Sequence, residues 1–181
     1  MGMAMIVYPS FMIGASTMTN ILQASTDAAT LLDTLARTPD RLAALVDAVD
    51  EGALNAAPDG EWSARTVLAH IRDDEFLVMR VRLARTLAEE HPVLTPFDER
   101  AWADARWRDR DGLPELLEDI RLQRAASVAI VRRLPAAAWH RVATQPEIGT
   151  FTLQWWVEHW VEHDVNHLEQ IAALLGRAVP D

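Results

Sequence analysis

Three histidines recur at every fourth position near the C-terminal end, in the run Trp155-Trp156-Val157-Glu158-His159-Trp160-Val161-Glu162-His163-Asp164-Val165-Asn166-His167-Leu168-Glu169-Gln170-Ile171. At roughly 100° per residue in a helix, His159, His163 and His167 lie along one stripe, each about a turn from the next. Neighbouring imidazoles at that spacing can chelate one divalent transition metal ion. On the same wheel Trp156, Trp160, Ile171 and Leu174 fall beside the stripe, while Glu158, Glu162, Asn166 and Glu169 gather on a separate polar arc. The histidines therefore border the buried side. Any one of them alone reads more readily as a surface or satisfied interfacial residue, but clustered imidazoles without a metal repel one another below neutral pH.

A fourth histidine, His70, stands in Thr66-Val67-Leu68-Ala69-His70-Ile71-Arg72-Asp73-Asp74-Glu75-Phe76-Leu77. On a helical wheel it shares a face with Val67, Leu77, Val78 and Val81, and Asp74 follows one turn later on that face. Asp74 is the candidate base or orienting carboxylate there; the structural alternative is a salt bridge to an arginine of the third helix, such as Arg121 or Arg124. Asp164 falls towards the apolar arc of its helix, where it either hydrogen-bonds an imidazole or makes an interhelical bond. Trp156 and Trp160 either wall a pocket or fill the core. His159-Trp160-Val161-Glu162-His163 also matches the H-x-x-E-H pattern of inverted zinc peptidases, with Glu162 as base. That match is short, and the chain is small for such an enzyme.

Composition narrows the chemistry. Among 181 residues, 17 are basic and 27 acidic, a formal net charge of −10 that disfavours a nucleic-acid partner. There is no cysteine and no lysine, which excludes disulfides, thiolate nucleophiles, Schiff bases and a P-loop lysine. Histidine with carboxylate is what remains for demanding chemistry.

The elements that must position these groups read as all-α, with no convincing alternation of strand residues. A helix is expected over about Ile21 to Arg37, and another begins at Thr38-Pro39 and runs to Gly52. The longest opens at Trp62-Ser63 and stops near Glu90, before His91-Pro92. A third starts at Pro114 and ends at Leu134-Pro135, and a fourth runs from Thr150 or Thr152 to Gly176. Long connections over 91–112 and 135–150 place sizeable flaps at one end of a four-helix bundle, whose sites are built from inward-facing side chains. Residues 1–20, within an uncharged stretch that continues to Thr26, read as a tail, with Met18 as an alternative start; residues 21–181 form the domain. Pro9 and Ser10 interrupt the tail too early for a signal or a membrane span, so a cytoplasmic protein without membrane association is expected.

The sequence resembles the DinB-like family of bacterial four-helix-bundle proteins. The likeness is carried by Gly60-Glu61-Trp62-Ser63 followed by Val67-Leu68-Ala69-His70, by Arg80 and Arg82, by Leu134 to Arg141 with Trp139, and by Gly149-Thr150-Phe151-Thr152-Leu153. Its most specific part is His163-Asp164-Val165-Asn166-His167-Leu168-Glu169-Gln170-Ile171, similar to the family ending H-D-x-x-H-x-x-Q-I. The resemblance implies a metal held by His70, His163 and His167 and disfavours His159 as a ligand; His159 is then expected in the surroundings of the site, where helical position also puts Asp164, Trp156 and Trp160. The resemblance implies a metal-dependent enzyme that hydrolyses a small molecule or transfers a low-molecular-weight thiol, for which Asp74, from its place one turn beyond His70, is the expected catalytic group. A metal-binding stress or ligand-binding protein without catalysis is the alternative. Zinc or nickel is the expected ion, with iron or manganese as further occupants, and a homodimer is the expected assembly.

Overall fold

Pro39 has no N–H and is disfavoured inside a helix, so Thr38-Pro39 reads in sequence as a helix start. In the computed structural model, which describes residues 27–181, Pro39 instead sits within one continuous helix, α1 (Ala28–Val46). The expected break is absent because the carbonyl that Pro39 leaves unpaired, that of Leu35, accepts a hydrogen bond from Arg124 at 3.1 Å. The tail expected over 1–20 lies outside the described residues.

After a short α2 (Glu51–Asn55), Ser63 caps α3 (Ala64–Asp74), its hydroxyl accepting from the Thr66 N–H at 3.2 Å. The helical backbone then passes through a π turn (Glu75–Met79) directly into α4 (Arg80–Ala88). A π turn carries extra residue per turn and rotates everything beyond it. Leu77 and Val81, which a regular wheel puts beside His70, are consequently 44% and 46% exposed, while Glu75, Met79 and Arg82 are buried. The connection after α4 carries α5 (Glu99–Ala105), and α6 (Leu113–Val131) follows with Pro114 in its first turn.

The second connection contains strands where none was expected. β1 (Val142–Gln145) and β2 (Gly149–Thr152) form an antiparallel hairpin, with Val142 opposite Thr152 and Gln145 opposite Gly149. Each strand has only four residues, too few for a clear alternation in sequence. The hairpin also ties the two connections together: Thr144 N–H donates to Pro92 O at 2.9 Å and Leu94 N–H to Thr144 O at 2.7 Å. Thr152 then caps α7 (Leu153–Leu175), accepting from the Trp155 N–H at 3.1 Å, and Gly176 ends it with φ +61, a conformation that favours glycine.

The architecture is a four-helix bundle in which α1 and α3 each pack chiefly on α6 and α7. Its core forms two apolar clusters. Leu35, Leu83, Val128, Trp156 and Trp160 belong to one, and Leu42, Leu68, Leu116, Leu168 and Ile171 to the other. On each long helical segment buried polar residues stand between these clusters in sequence: Thr38 on α1, Asp74 and Glu75 at the π turn, Arg124 on α6, Asp164 on α7. A polar layer thus crosses the middle of the bundle. Within it Arg124 donates through Nε to Glu75 Oε2 at 3.0 Å and through Nη2 to Asp164 Oδ1 at 3.0 Å, while Thr38 Oγ1 donates to Asp164 Oδ2 at 2.7 Å. No described helix is long and apolar enough to cross a membrane.

Candidate metal centre

His70 on α3 and His163 and His167 on α7 meet inside this layer. One ligand-capable atom from each lies within 4.8 Å of the other two, and this is the only such three-residue group among the described residues. The Nε2 atoms of His70 and His163 are 3.2 Å apart. His70 and His167 are buried, and the His163 side chain retains 15% exposure, so the cluster opens to its surroundings at His163.

The hydrogen-bonding of these rings suits a shared cation. Gln170 Oε1 accepts from Nδ1–H of His167 at 2.8 Å, which leaves the His167 Nε2 lone pair free. His163 Nδ1 faces Asp164 Oδ1 at 3.7 Å, beyond a hydrogen bond but on the side from which a carboxylate orients a ligating imidazole. Nδ1 of both His70 and His163 is buried without a hydrogen-bond partner. A direct bond between the two Nε2 atoms therefore leaves the accepting ring with a buried, unpaired Nδ1–H, so the protein alone does not satisfy the pair in its neutral form.

Electrostatics keep two of the rings neutral. Burial lowers His70, and the neighbouring His163 and His167 lower it further; burial and His163 bring His167 down to about 3. Burial also acts against the charged form of His163, but Asp164 and Asp74 outweigh it and raise this group. Asp74 Oδ2 lies 3.4 Å from His163 Nε2, and burial raises its carboxyl to about 6 against the attraction of His163. Asp74 makes no salt bridge to Arg121 or Arg124. Arg121 pairs with Glu118 on the surface, and Arg124 is taken by Glu75 and Asp164. The π turn explains this exchange, because it turns Glu75 as well as Asp74 inward. Asp164, held well below its ordinary range by Arg124 despite complete burial, makes the interhelical bonds and stands beside His163 at once.

The remaining predicted neighbours are placed differently. His159 stacks on Trp155 with ring centroids 5.0 Å apart and planes 5° from parallel, outside the three-histidine group. Glu162, the base of the peptidase reading, is 73% exposed, and its Oε2 lies 3.8 Å from His159 Nδ1. Trp156 and Trp160 are fully buried, carrying the guanidinium groups of Arg82 and Arg124 over their rings at 4.9 and 5.5 Å. The tryptophans that touch the cluster are Trp62 and Trp102, with centroids 5.0 and 5.4 Å from His70. In sequence Trp62 marks a helix start and a family-like motif, and Trp102 lies in the long connection over 91–112, so neither is singled out as a neighbour of His70. Trp102 is fixed by its indole N–H donating to Asp73 Oδ2 at 3.1 Å, and Arg72 bonds both Asp73 and Asp111, fastening this connection onto α3.

A bundle whose facing helices converge three imidazoles on one point defines a class of helical proteins built around a metal-type ligand set. Residues 34–171 match the model of the DinB superfamily, and the chain belongs to that superfamily. Among curated proteins it is similar to YfiT of Bacillus subtilis, whose name carries a provisional metal-dependent hydrolase assignment, at 29% identity over 93 residues, 49% of this chain and 52% of YfiT. It is also similar to OB0782 of Oceanobacillus iheyensis, with the same provisional assignment, at 38% over 45 residues, 25% of this chain and 26% of that protein. These matches span about half of the first relative and a quarter of the second. The solved structure of YfiT, described as a probable metal-dependent hydrolase with an unusual four-helix bundle topology, superposes with a TM-score of 0.68 at 23% identity, covering 83% of this chain and 89% of that one. That likeness establishes the shared bundle fold.

Proposed function

We propose that the protein is a metal-dependent enzyme acting on a small molecule, with His70, His163 and His167 as the ligands of one divalent transition ion. The observation that carries this reading is the convergence of three imidazoles, two of them buried, one held by Gln170 with its Nε2 lone pair free. The names of the relatives support hydrolysis. Zinc or nickel suits three nitrogen ligands, and iron or manganese would be accepted by the same set. When bound, such an ion supplies Lewis acidity and activates a water or thiol nucleophile.

The chain's own residues divide the remaining work. Asp74 Oδ2, beside His163 Nε2, takes the proton that the nucleophile loses. Trp62 and Trp102 cover His70 and keep water from that side, so substrate enters by the edge at His163. Because the protein contains no cysteine, a thiol reaction here would use a low-molecular-weight thiol brought in as co-substrate. The placement of His159 on Trp155 and the exposure of Glu162 argue against the peptidase motif.

Elemental analysis of the untagged protein tests the reading. About one equivalent of metal in wild type, lost in H70A, H163A and H167A and retained in H159A, is the expected result. The loaded protein is then assayed with ester and amide substrates, and with small thiols plus an electrophile. A wild type that takes up no ion after reloading with zinc or nickel refutes the proposal.

A further inference from the structure

Arg82 is 8% exposed, yet none of its nitrogen atoms lies within 4.0 Å of a carboxylate oxygen among the described residues. Its guanidinium rests on the Trp156 ring, and its one hydrogen-bond acceptor there is the Thr95 carbonyl, at 3.3 Å. A guanidinium carries five N–H donors, so most of its bonding capacity is unused. Buried arginines are otherwise found paired; in this same bundle Arg124 and Arg72 each bond carboxylates directly.

The charged groups around Arg82 come from several elements. Arg82 lies within electrostatic reach of Asp74, Glu99 and Glu147, and its charge is felt by His159. Thr95 and Glu99 belong to the first long connection and Glu147 to the hairpin, so both flaps come together around this residue. Arg82 also forms part of the wall of a groove of about 220 Å³, otherwise lined by Leu77, Val78, Val81, Leu94, Pro96 and Phe97 together with Thr95 and with Arg85, whose guanidinium is taken up by Glu89. An apolar groove with one buried, under-used guanidinium at its wall is complementary to an apolar body bearing a carboxylate.

We propose that Arg82 anchors a binding site in this groove, holding the carboxylate of a small apolar carboxylic acid. The inference is independent of the metal-dependent reading, and the two are separable by experiment. Phenylacetate serves as the probe and its uncharged isostere phenylacetamide as the control, both titrated calorimetrically into zinc-loaded and EDTA-treated protein. Phenylacetate is expected to bind in both states, at least about tenfold more tightly than the amide. Met in place of Arg82 (R82M) abolishes that preference, R82K retains part of it, and R121Q, which removes a distant surface charge, leaves it unchanged. Melting curves establish that each variant is folded, and R82K supplies the test if R82M is not.

Absence of phenylacetate binding by folded wild type, equal affinity for acid and amide, or an undiminished preference in folded R82M overturns the proposal. Loss of all preference on EDTA treatment overturns it too, because the ion would then be holding the carboxylate. A wild type that incorporates no zinc yet still prefers the acid through Arg82 removes the metal reading and keeps this one.

Discussion

Arg124 on α6 replaces the hydrogen bond that Pro39 withholds from its own helix, donating to the Leu35 carbonyl at 3.1 Å. The same guanidinium bonds Glu75 and Asp164, so one side chain joins α1, the π turn and α7 across the middle of the bundle. It also rests over Trp160. The layer that holds the histidine cluster is therefore organised by a residue that touches none of its rings directly.

Replacing Arg124 with Met leaves Glu75 and Asp164 buried without their cation. A destabilisation of about 3–5 kcal/mol is expected, measured by urea unfolding. Adding P39A restores an N–H for the Leu35 carbonyl, so it should cost less, or help more, in the R124M background than in wild type, by about 1 kcal/mol of coupling.

Gln170 fixes the His167 ring through Nδ1. Q170A should leave the fold intact and weaken zinc affinity by roughly 10–100-fold, read by competition with a chelator of known affinity. Unchanged affinity would remove Gln170 from the orienting role.

Trp102 covers His70 and is held by Asp73. W102A is expected to keep the full complement of metal but release it faster to excess EDTA, because the His70 side becomes open to water. The comparison is of release rates at equal starting metal content.

His159 gives the stability a pH dependence. Its imidazole titrates near 6.5 when unfolded, whereas burial chiefly, with His163 and Arg82, lowers it to about 4 in the fold. The folded state thus resists protonation, so this group's contribution is full above pH 6.5 and falls away as the pH drops towards 4. H159Q should lose less stability than wild type between pH 7.5 and pH 4.5, compared by urea midpoints; equal losses would show that His159 is not the source.

Much of this molecule was legible along the chain. Ser63, Thr152 and Gly176 mark helix ends by local chemistry, and those ends stand where their residue types put them. The four-residue recurrence puts His163 and His167 on one side of a helix whatever packs against it. The resemblance in the closing motif brought His70 to them, and the fold places all three within 4.8 Å.

Other features belong to the tertiary structure. The π turn follows no simple periodicity, and it decided that Glu75 faces Arg124 while Leu77 and Val81 face outward. Pro39 reads locally as a helix boundary, and only a donor from 85 residues further along the chain makes an unbroken α1 acceptable. Which tryptophans meet His70 was equally hidden, because Trp62 and Trp102 reach it from outside the histidine helix, through contacts that no helical wheel contains. Sequence determines what each helix can present, since caps and periodicity act over a few residues; the bundle determines which presented groups meet, since that depends on how separate helices share a desolvated interior.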